Sequence, residues 1–82
     1  MTILAIDDEP KALQLLHDAI AEAEPDAEIA DFSDGEAALT AIRSQALTPD
    51  VVFSDIELPE MSGLAFAVEL KKLVPETRIT RL

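Results

Sequence analysis

Short apolar runs alternate along this chain with longer segments in which apolar residues recur every three or four positions. The clearest runs are residues 3–6 and 51–54, and a more polar run spans residues 28–32. Continuous apolar runs are typical of parallel strands covered on both faces, and the more polar run is typical of an edge strand. A fourth strand is expected to begin between Thr77 and Leu82.

Three amphipathic helices are predicted between these strands. Pro10 suits the first turn of the first helix, Ser33 and Glu36 have the spacing of a capping box for the second, and Ser62 can cap the third. The inward positions are predicted to be Leu13, Leu16, Ile20 and Ala23 in the first helix, Ala38, Leu39, Ile42 and Ala46 in the second, and Leu64, Ala67, Leu70 and Val74 in the third.

The resulting order, β-α-β-α-β-α-β, predicts an α/β fold with a parallel sheet and right-handed crossovers. The chain has 82 residues, which is enough for one small core, and 49% of them are apolar, as in a globular chain. We therefore expect a single domain over residues 1–82. Because the chain has no cysteine, disulfides and thiolate chemistry are excluded.

The net charge of the chain argues against some classes of binding partner. A formal net charge of −11 argues against binding to nucleic acid or to anionic membranes, since both need a basic surface. The N-terminus lacks the basic region of a signal peptide, and no apolar segment approaches the roughly 20 residues that span a bilayer. A cytoplasmic location is the prediction.

Three carboxylates follow predicted strands. Asp7 and Asp8 come directly after the first apolar run, and Asp55 comes directly after the run at 51–54. Ligands of open parallel sheets bind at the carboxyl ends of the strands, and clustered carboxylates suit Mg²⁺. A carboxylate beside that ion can attack a phosphoryl group. Each aspartate alone would more often be a helix cap or a loop residue, but three together favour a metal site.

At these positions the sequence resembles the receiver domains of two-component response regulators. Asp7-Asp8 looks like the acidic pair of that family and Asp55 like its phosphoacceptor, with Pro59 and Gly63 at the family's spacing beyond it. The amino-acid sequence of residues 55–63 looks most like that of receivers of the LytTR type. The resemblance implies a flavodoxin-like, doubly wound sheet and a signalling role, with no enzymatic turnover of a separate substrate.

The resemblance also implies a role for each matched residue. Asp55 would accept a phosphoryl group from a sensor histidine kinase. Asp8 would bind Mg²⁺ directly, Asp7 chiefly through water, and Glu57 through its backbone carbonyl. Pro59 and Gly63 would shape the loop beyond Asp55.

The sequence resembles only part of a receiver domain. The family has five strands, and this sequence offers three and the beginning of a fourth, so a partial domain over residues 1–82 is expected. The family's Thr or Ser would fall just past Leu82 and its Lys further on. Thr80 lies too early in the strand to replace the former, and Lys11, Lys71 and Lys72 lie in predicted helices. An open sheet edge predicts a homodimer joined near Thr77 and Leu82.

Two other functions remain open at this point. The chain could be a degenerate receiver that acts only as a dimerising interaction module. It could also be a Mg²⁺-dependent hydrolase that passes through an aspartyl phosphate, although such enzymes usually place two aspartates two residues apart, and Asp7 and Asp8 are adjacent. His17 is expected to be a solvent-exposed side chain without a catalytic role.

Overall fold

The protein is an α/β fold with one parallel sheet and helices on both of its faces. The computed structural model describes residues 1–54 and 61–81. Its elements, in chain order, are β1 (Thr2–Ile6), α1 (Pro10–Ala23), β2 (Glu28–Phe32), α2 (Gly35–Arg43), β3 (Val51–Ser54), α3 (Gly63–Leu73) and β4 (Arg78–Arg81).

The four strands lie in the order β2-β1-β3-β4, and every neighbouring pair is parallel. β2 is therefore an edge strand and β3 has a strand on each side, as the hydrophobic pattern predicted. The fourth strand, predicted as a beginning only, pairs with β3 through four residues, from Val51 opposite Arg78 to Ser54 opposite Arg81.

The side chains of β1 alternate between the two faces of the sheet, and each face has its own apolar cluster. Leu4 and Ile6 pack with α2 and α3, where Leu39, Phe66 and Leu70 are fully buried. On the other face, Ile3 and Ala5 pack with α1, chiefly through Ile20, Leu13 and Leu16. The larger core therefore lies between the sheet and the pair α2 and α3.

The structure corrects the predicted start of α2. The N-cap is Asp34, not Ser33, because the Asp34 side chain accepts hydrogen bonds from the backbone N–H groups of Glu36 at 2.8 Å and Ala37 at 3.3 Å. A carboxylate at this position also interacts favourably with the positive end of the helix dipole. Ser33 lies one residue earlier, in the loop after β2.

Three positions predicted to face inward are exposed. Ala23 is exposed at the end of α1, and Ala46 is exposed beyond the end of α2 at Arg43. Leu64 is 62% exposed, and Phe66 is the fully buried residue in the first turns of α3. A large aromatic side chain buries more apolar area than a leucine, so burial of Phe66 sets the rotation of α3 about its axis.

A hydrogen-bonded network joins the amino ends of the strands. The buried Thr77 hydroxyl donates to the Pro49 carbonyl at 2.6 Å, and Asp50 Oδ2 accepts from the backbone N–H of Thr2 at 2.8 Å. Lys71 Nζ donates to the Thr77 carbonyl at 2.6 Å. These bonds hold β1, β3 and β4 in register at the end of the sheet opposite the predicted site.

Candidate functional site: the carboxyl ends of β1 and β3

The last residues of two central strands lie side by side. Ile6 of β1 and Ser54 of β3 are Cα partners in the parallel register. The next residues in sequence are Asp7 and Asp55. The register therefore ends β1 and β3 at the same edge of the sheet.

Asp7 is held in place by its surroundings. It is 9% exposed, its backbone N–H donates to the Phe32 carbonyl at 3.2 Å, and its Oδ1 accepts from the backbone N–H of Glu9 at 3.0 Å. The second carboxylate oxygen, Oδ2, takes part in neither bond. A buried carboxylate with one oxygen held by the backbone is a fixed, oriented anionic group.

Asp8 has a different environment from its neighbour. Its side chain is exposed, and within residues 1–54 and 61–81 it has no hydrogen bond or ion pair. The N-cap of α1 is Glu9, whose side chain makes no capping bond. Asp7 therefore resembles a helix-capping residue only because its side chain accepts a hydrogen bond from the Glu9 N–H. Asp8 makes no such bond, so a capping role does not explain it.

The rest of the predicted constellation falls partly outside the described residues. Asp55, Glu57 and Pro59 all lie in the segment 55–60. Gly63 is the first residue of α3, and the Ser62 side chain accepts from the backbone N–H of Ala65 at 3.1 Å, so the predicted cap of this helix is confirmed. Within the described ranges, no three His, Asp or Glu side chains converge as metal ligands.

His17 and Asp31 form an ion pair between α1 and β2. Their closest atoms, Nδ1 and Oδ2, are 2.8 Å apart, and the two side chains are 33% and 36% exposed. His17 was expected to be exposed, and it is instead half-buried with a carboxylate partner. The pair joins the first helix to the edge strand.

The three lysines considered above lie in helices and Thr80 lies in β4, as the sequence pattern predicted. Lys71 and Lys72 are in the last turn of α3, and Lys11 is in the first turn of α1. Lys71 is engaged with the backbone at the amino edge of the sheet, and Lys72 is near Glu69. Thr80 is exposed on β4, opposite Phe53. Of these side chains, only Lys11 lies in the first turn of its helix, near the carboxyl edge of the sheet.

Comparison with known protein families shows what kind of domain this chain is. The family described as the response regulator receiver domain matches residues 3–82. The chain belongs to this family. It is therefore a receiver domain of the two-component response regulators, and it is a signalling domain.

Curated relatives contain the receiver domain as one part of a longer chain. A response regulatory protein of Vibrio cholerae is 41% identical over 70 residues, which are 84% of this chain and 26% of that protein. A protein-glutamate methylesterase/protein-glutamine glutaminase of Agrobacterium fabrum is 37% identical over 73 residues, 89% of this chain and 20% of that protein. This chain thus spans about a fifth to a quarter of the length of these relatives.

Solved structures have the same fold. A response regulator receiver domain protein from Clostridium thermocellum superposes with a TM-score of 0.85 at 28% identity, over 98% of this chain and 62% of the other. The match to a complex of histidine kinase ThkA with response regulator protein TrrA has a TM-score of 0.81 at 35% identity, over 98% of this chain and 66% of the other. Among the described helices of this receiver domain, none is long and apolar enough to cross a membrane.

Proposed function

We propose that this receiver domain accepts a phosphoryl group on Asp55 and that Mg²⁺ is required. The observation that supports the proposal is the pairing of Ile6 with Ser54, because the residues that follow these two partners in the sequence are Asp7 and Asp55. A nucleophilic carboxylate and metal-binding carboxylates must share one site for this chemistry.

The residues fit a magnesium ion. Mg²⁺ prefers oxygen ligands, keeps several waters, and is usually bound through one or two carboxylates. The Asp8 carboxylate is exposed and bonds to no described residue. The Asp7 carboxylate is oriented by its hydrogen bond from the Glu9 N–H. Asp8 would bind directly, Asp7 through water, and Glu57 through its backbone carbonyl, with Asp55 completing the set. Bound there, the ion would neutralise negative charge on the transferring phosphoryl oxygens.

The chain's own part in the reaction is nucleophilic attack. A carboxylate oxygen of Asp55 attacks the phosphorus of the donor, and an oxygen–phosphorus bond forms. When the donor is acetyl phosphate, the bond between phosphorus and the acetate oxygen breaks and acetate leaves with the electron pair. Asp7, held by the Glu9 N–H, keeps one carboxylate oriented after β1, and Asp8 adds an exposed one. Pro59 and Gly63 would shape the loop that follows Asp55.

The test is incubation of the purified chain with acetyl phosphate and Mg²⁺, read by intact mass spectrometry. We expect the mass of one phosphoryl group to be gained and the gain to disappear when EDTA is present. The Asp55→Asn variant should gain nothing. Asp26→Asn is the matched control, because it changes the same residue type in an exposed turn remote from the site, and it should behave as the parent.

The outcomes separate the proposal from its alternatives. Retention of the gain in Asp55→Asn would place the acceptor elsewhere and overturn the proposal. Turnover of acetyl phosphate with steady release of inorganic phosphate at a rate typical of enzymes would favour the aspartyl-phosphate hydrolase.

The physiological donor we propose is a sensor histidine kinase in the cytoplasm. The receiver TrrA, which is 35% identical to this chain, was solved in complex with a histidine kinase. Leu15 supports a protein contact on α1, since this large apolar side chain is 70% exposed on the helix that begins beside Asp8. The Leu15→Asp variant should lose transfer from a phosphorylated kinase and keep labelling by acetyl phosphate.

A second candidate function is that of an interaction module which assembles into a homodimer near Thr77 and Leu82. A molar mass measurement by light scattering tests it, and a chain that stays monomeric at all accessible concentrations would contradict it.

A further inference from the structure

The two hydrogen bonds that hold Asp7 come from two different elements. Its backbone N–H donates at 3.2 Å to the carbonyl of Phe32, the last residue of β2. Its Oδ1 accepts at 3.0 Å from the backbone N–H of Glu9, the N-cap of α1. The position of this carboxylate therefore depends on how α1 and β2 lie relative to each other.

His17 and Asp31 join the same two elements. Nδ1 of His17 lies 3.0 Å from Oδ1 and 2.8 Å from Oδ2 of Asp31. The imidazole can donate to this carboxylate when it is protonated, and also when it is neutral with its proton on Nδ1. Within residues 1–54 and 61–81, no other side-chain hydrogen bond or ion pair joins α1 to β2.

The register of the sheet explains why the Asp31 side chain reaches the helix. Asp31 is the Cα partner of Ala5, and Ala5 packs on the sheet face that carries α1. Partners in a parallel register point to the same face of the sheet. Asp31 also directly precedes Phe32, so the His17 contact is made one residue away from the carbonyl that holds Asp7.

These contacts and the chain between them form a closed ring. From Asp7 the ring passes to Phe32 and along β2 to Asp31. It then crosses to His17 and returns along α1 to Glu9, whose N–H donates to Asp7. His17 lies about 12 Å, or two turns, along α1 from Glu9. In the described sheet β2 pairs with β1 alone, so a contact with α1 has a direct effect on where the end of β2 lies.

We propose that the His17–Asp31 pair positions Asp7 for Mg²⁺ by fixing the distance between the two elements that hold this carboxylate. His17 is a positioning residue and takes no part in phosphoryl transfer. The inference rests on the proposed function, because that function assigns Asp7 to the metal site. The two side chains are 33% and 36% exposed, and an ion pair of this kind adds little to global stability. Its effect is therefore expected in the local geometry around Asp7.

The test uses two-dimensional proton–nitrogen NMR spectra of the purified chain, first without metal and then during titration with Mg²⁺. His17→Ala removes the donor to Asp31, whereas alanine favours the helix. We expect the amide signals of Asp7 and Glu9 to shift from their parent positions before metal is added. Mg²⁺ affinity should fall about fivefold, less than the roughly 10- to 100-fold typical of a direct partner of a metal ligand, because the pair acts through β2 and α1.

A conservative variant and a matched control separate positioning from a general change in the helix. His17→Asn keeps an N–H donor near the position of Nδ1, and Asn and His have similar helix propensities. The Asp7 and Glu9 signals and the Mg²⁺ affinity should therefore return towards the parent. Gln14→Ala removes a hydrogen bond of 2.9 Å to Asp18 that stays within α1, and it should leave both measurements unchanged.

The same pair can be tested from the strand. Asp31→Ala should lower Mg²⁺ affinity as much as His17→Ala does. The double variant H17A/D31A should lose no more than either single variant, because all three remove one interaction. Glu28→Ala, at an exposed position at the other end of β2, should bind Mg²⁺ like the parent. Circular dichroism should show that each variant is folded, since these positions are not in the buried core.

The outcomes distinguish the inference from the function on which it rests. Unchanged Asp7 and Glu9 signals in His17→Ala would overturn the inference, and so would a His17→Asn variant that behaves like His17→Ala. Additive losses in H17A/D31A would also overturn it, because they would mean that the two residues act independently. A parent chain that binds no Mg²⁺ would overturn the proposed function instead, and the metal-free spectra would still show whether the pair holds Asp7 in place.

Discussion

Ile6 and Ser54 are Cα partners at the ends of two adjacent parallel strands. The residues that follow them in the sequence are Asp7 and Asp55. The side-chain period of a strand is two residues, so a shift of β3 by one residue would turn Val52 away from the core between the sheet and α2 and α3. Burial of Val52 therefore favours the register in which Ile6 lies opposite Ser54.

Neutralising Asp7 should weaken metal binding without disturbing the fold. In Asp7→Asn the amide oxygen can still accept from the Glu9 N–H, whereas the negative charge is lost. We expect Mg²⁺ affinity to fall by about 10- to 100-fold, as for other groups that support a metal through water. Competition against Mn²⁺ in electron paramagnetic resonance measures this, and Asp26→Asn should leave the affinity unchanged.

Removing the Thr77 hydroxyl should destabilise the protein. The hydroxyl donates to the Pro49 carbonyl at 2.6 Å in a buried position, so Thr77→Val leaves a buried carbonyl without this donor. The expected loss in the free energy of unfolding is about 1–3 kcal/mol. Urea unfolding at a fixed protein concentration measures it. Thr40→Val, at an exposed position of α2, should change stability by less than about 0.5 kcal/mol.

The helix cap of α2 can be identified by two alanine substitutions at neighbouring residues. Asp34→Ala removes the acceptor of the Glu36 and Ala37 N–H groups and should cost about 0.5–2 kcal/mol of stability. Ser33→Ala should be nearly neutral, since Ser33 lies in the preceding loop. A larger loss for Ser33→Ala than for Asp34→Ala in thermal or urea unfolding would contradict the observed cap.

The buried face of α3 can be tested with two leucines of the same helix. Leu70 is fully buried and Leu64 is 62% exposed. Leu70→Ala should therefore cost about 2–5 kcal/mol through lost burial and a cavity, whereas Leu64→Ala should cost less than about 0.5 kcal/mol. Similar losses for the two variants would mean that α3 is rotated from the orientation described here.

The amino-acid sequence by itself determined the order of elements, the parallel sheet and the end of the sheet at which function is expected. These follow from local patterns, since apolar runs of strand length and apolar stripes of helical spacing each require a particular covered surface. The acidic pair and Asp55 could be selected for the same reason, because residues directly after parallel strands must gather at one edge. The family membership agrees with the predicted fold and signalling role, and the roles of the three aspartates stay predictions.

Only the tertiary structure decided which of several locally equivalent choices is realised. Ser33 and Asp34 are both good caps, and Leu64 and Phe66 are both apolar, so helix pattern alone cannot choose between them. The choice depends on where β2 ends and on which side chain the sheet can bury. The hydrogen bond from the Thr77 hydroxyl to the Pro49 carbonyl joins residues 28 positions apart, and no local pattern carries that information.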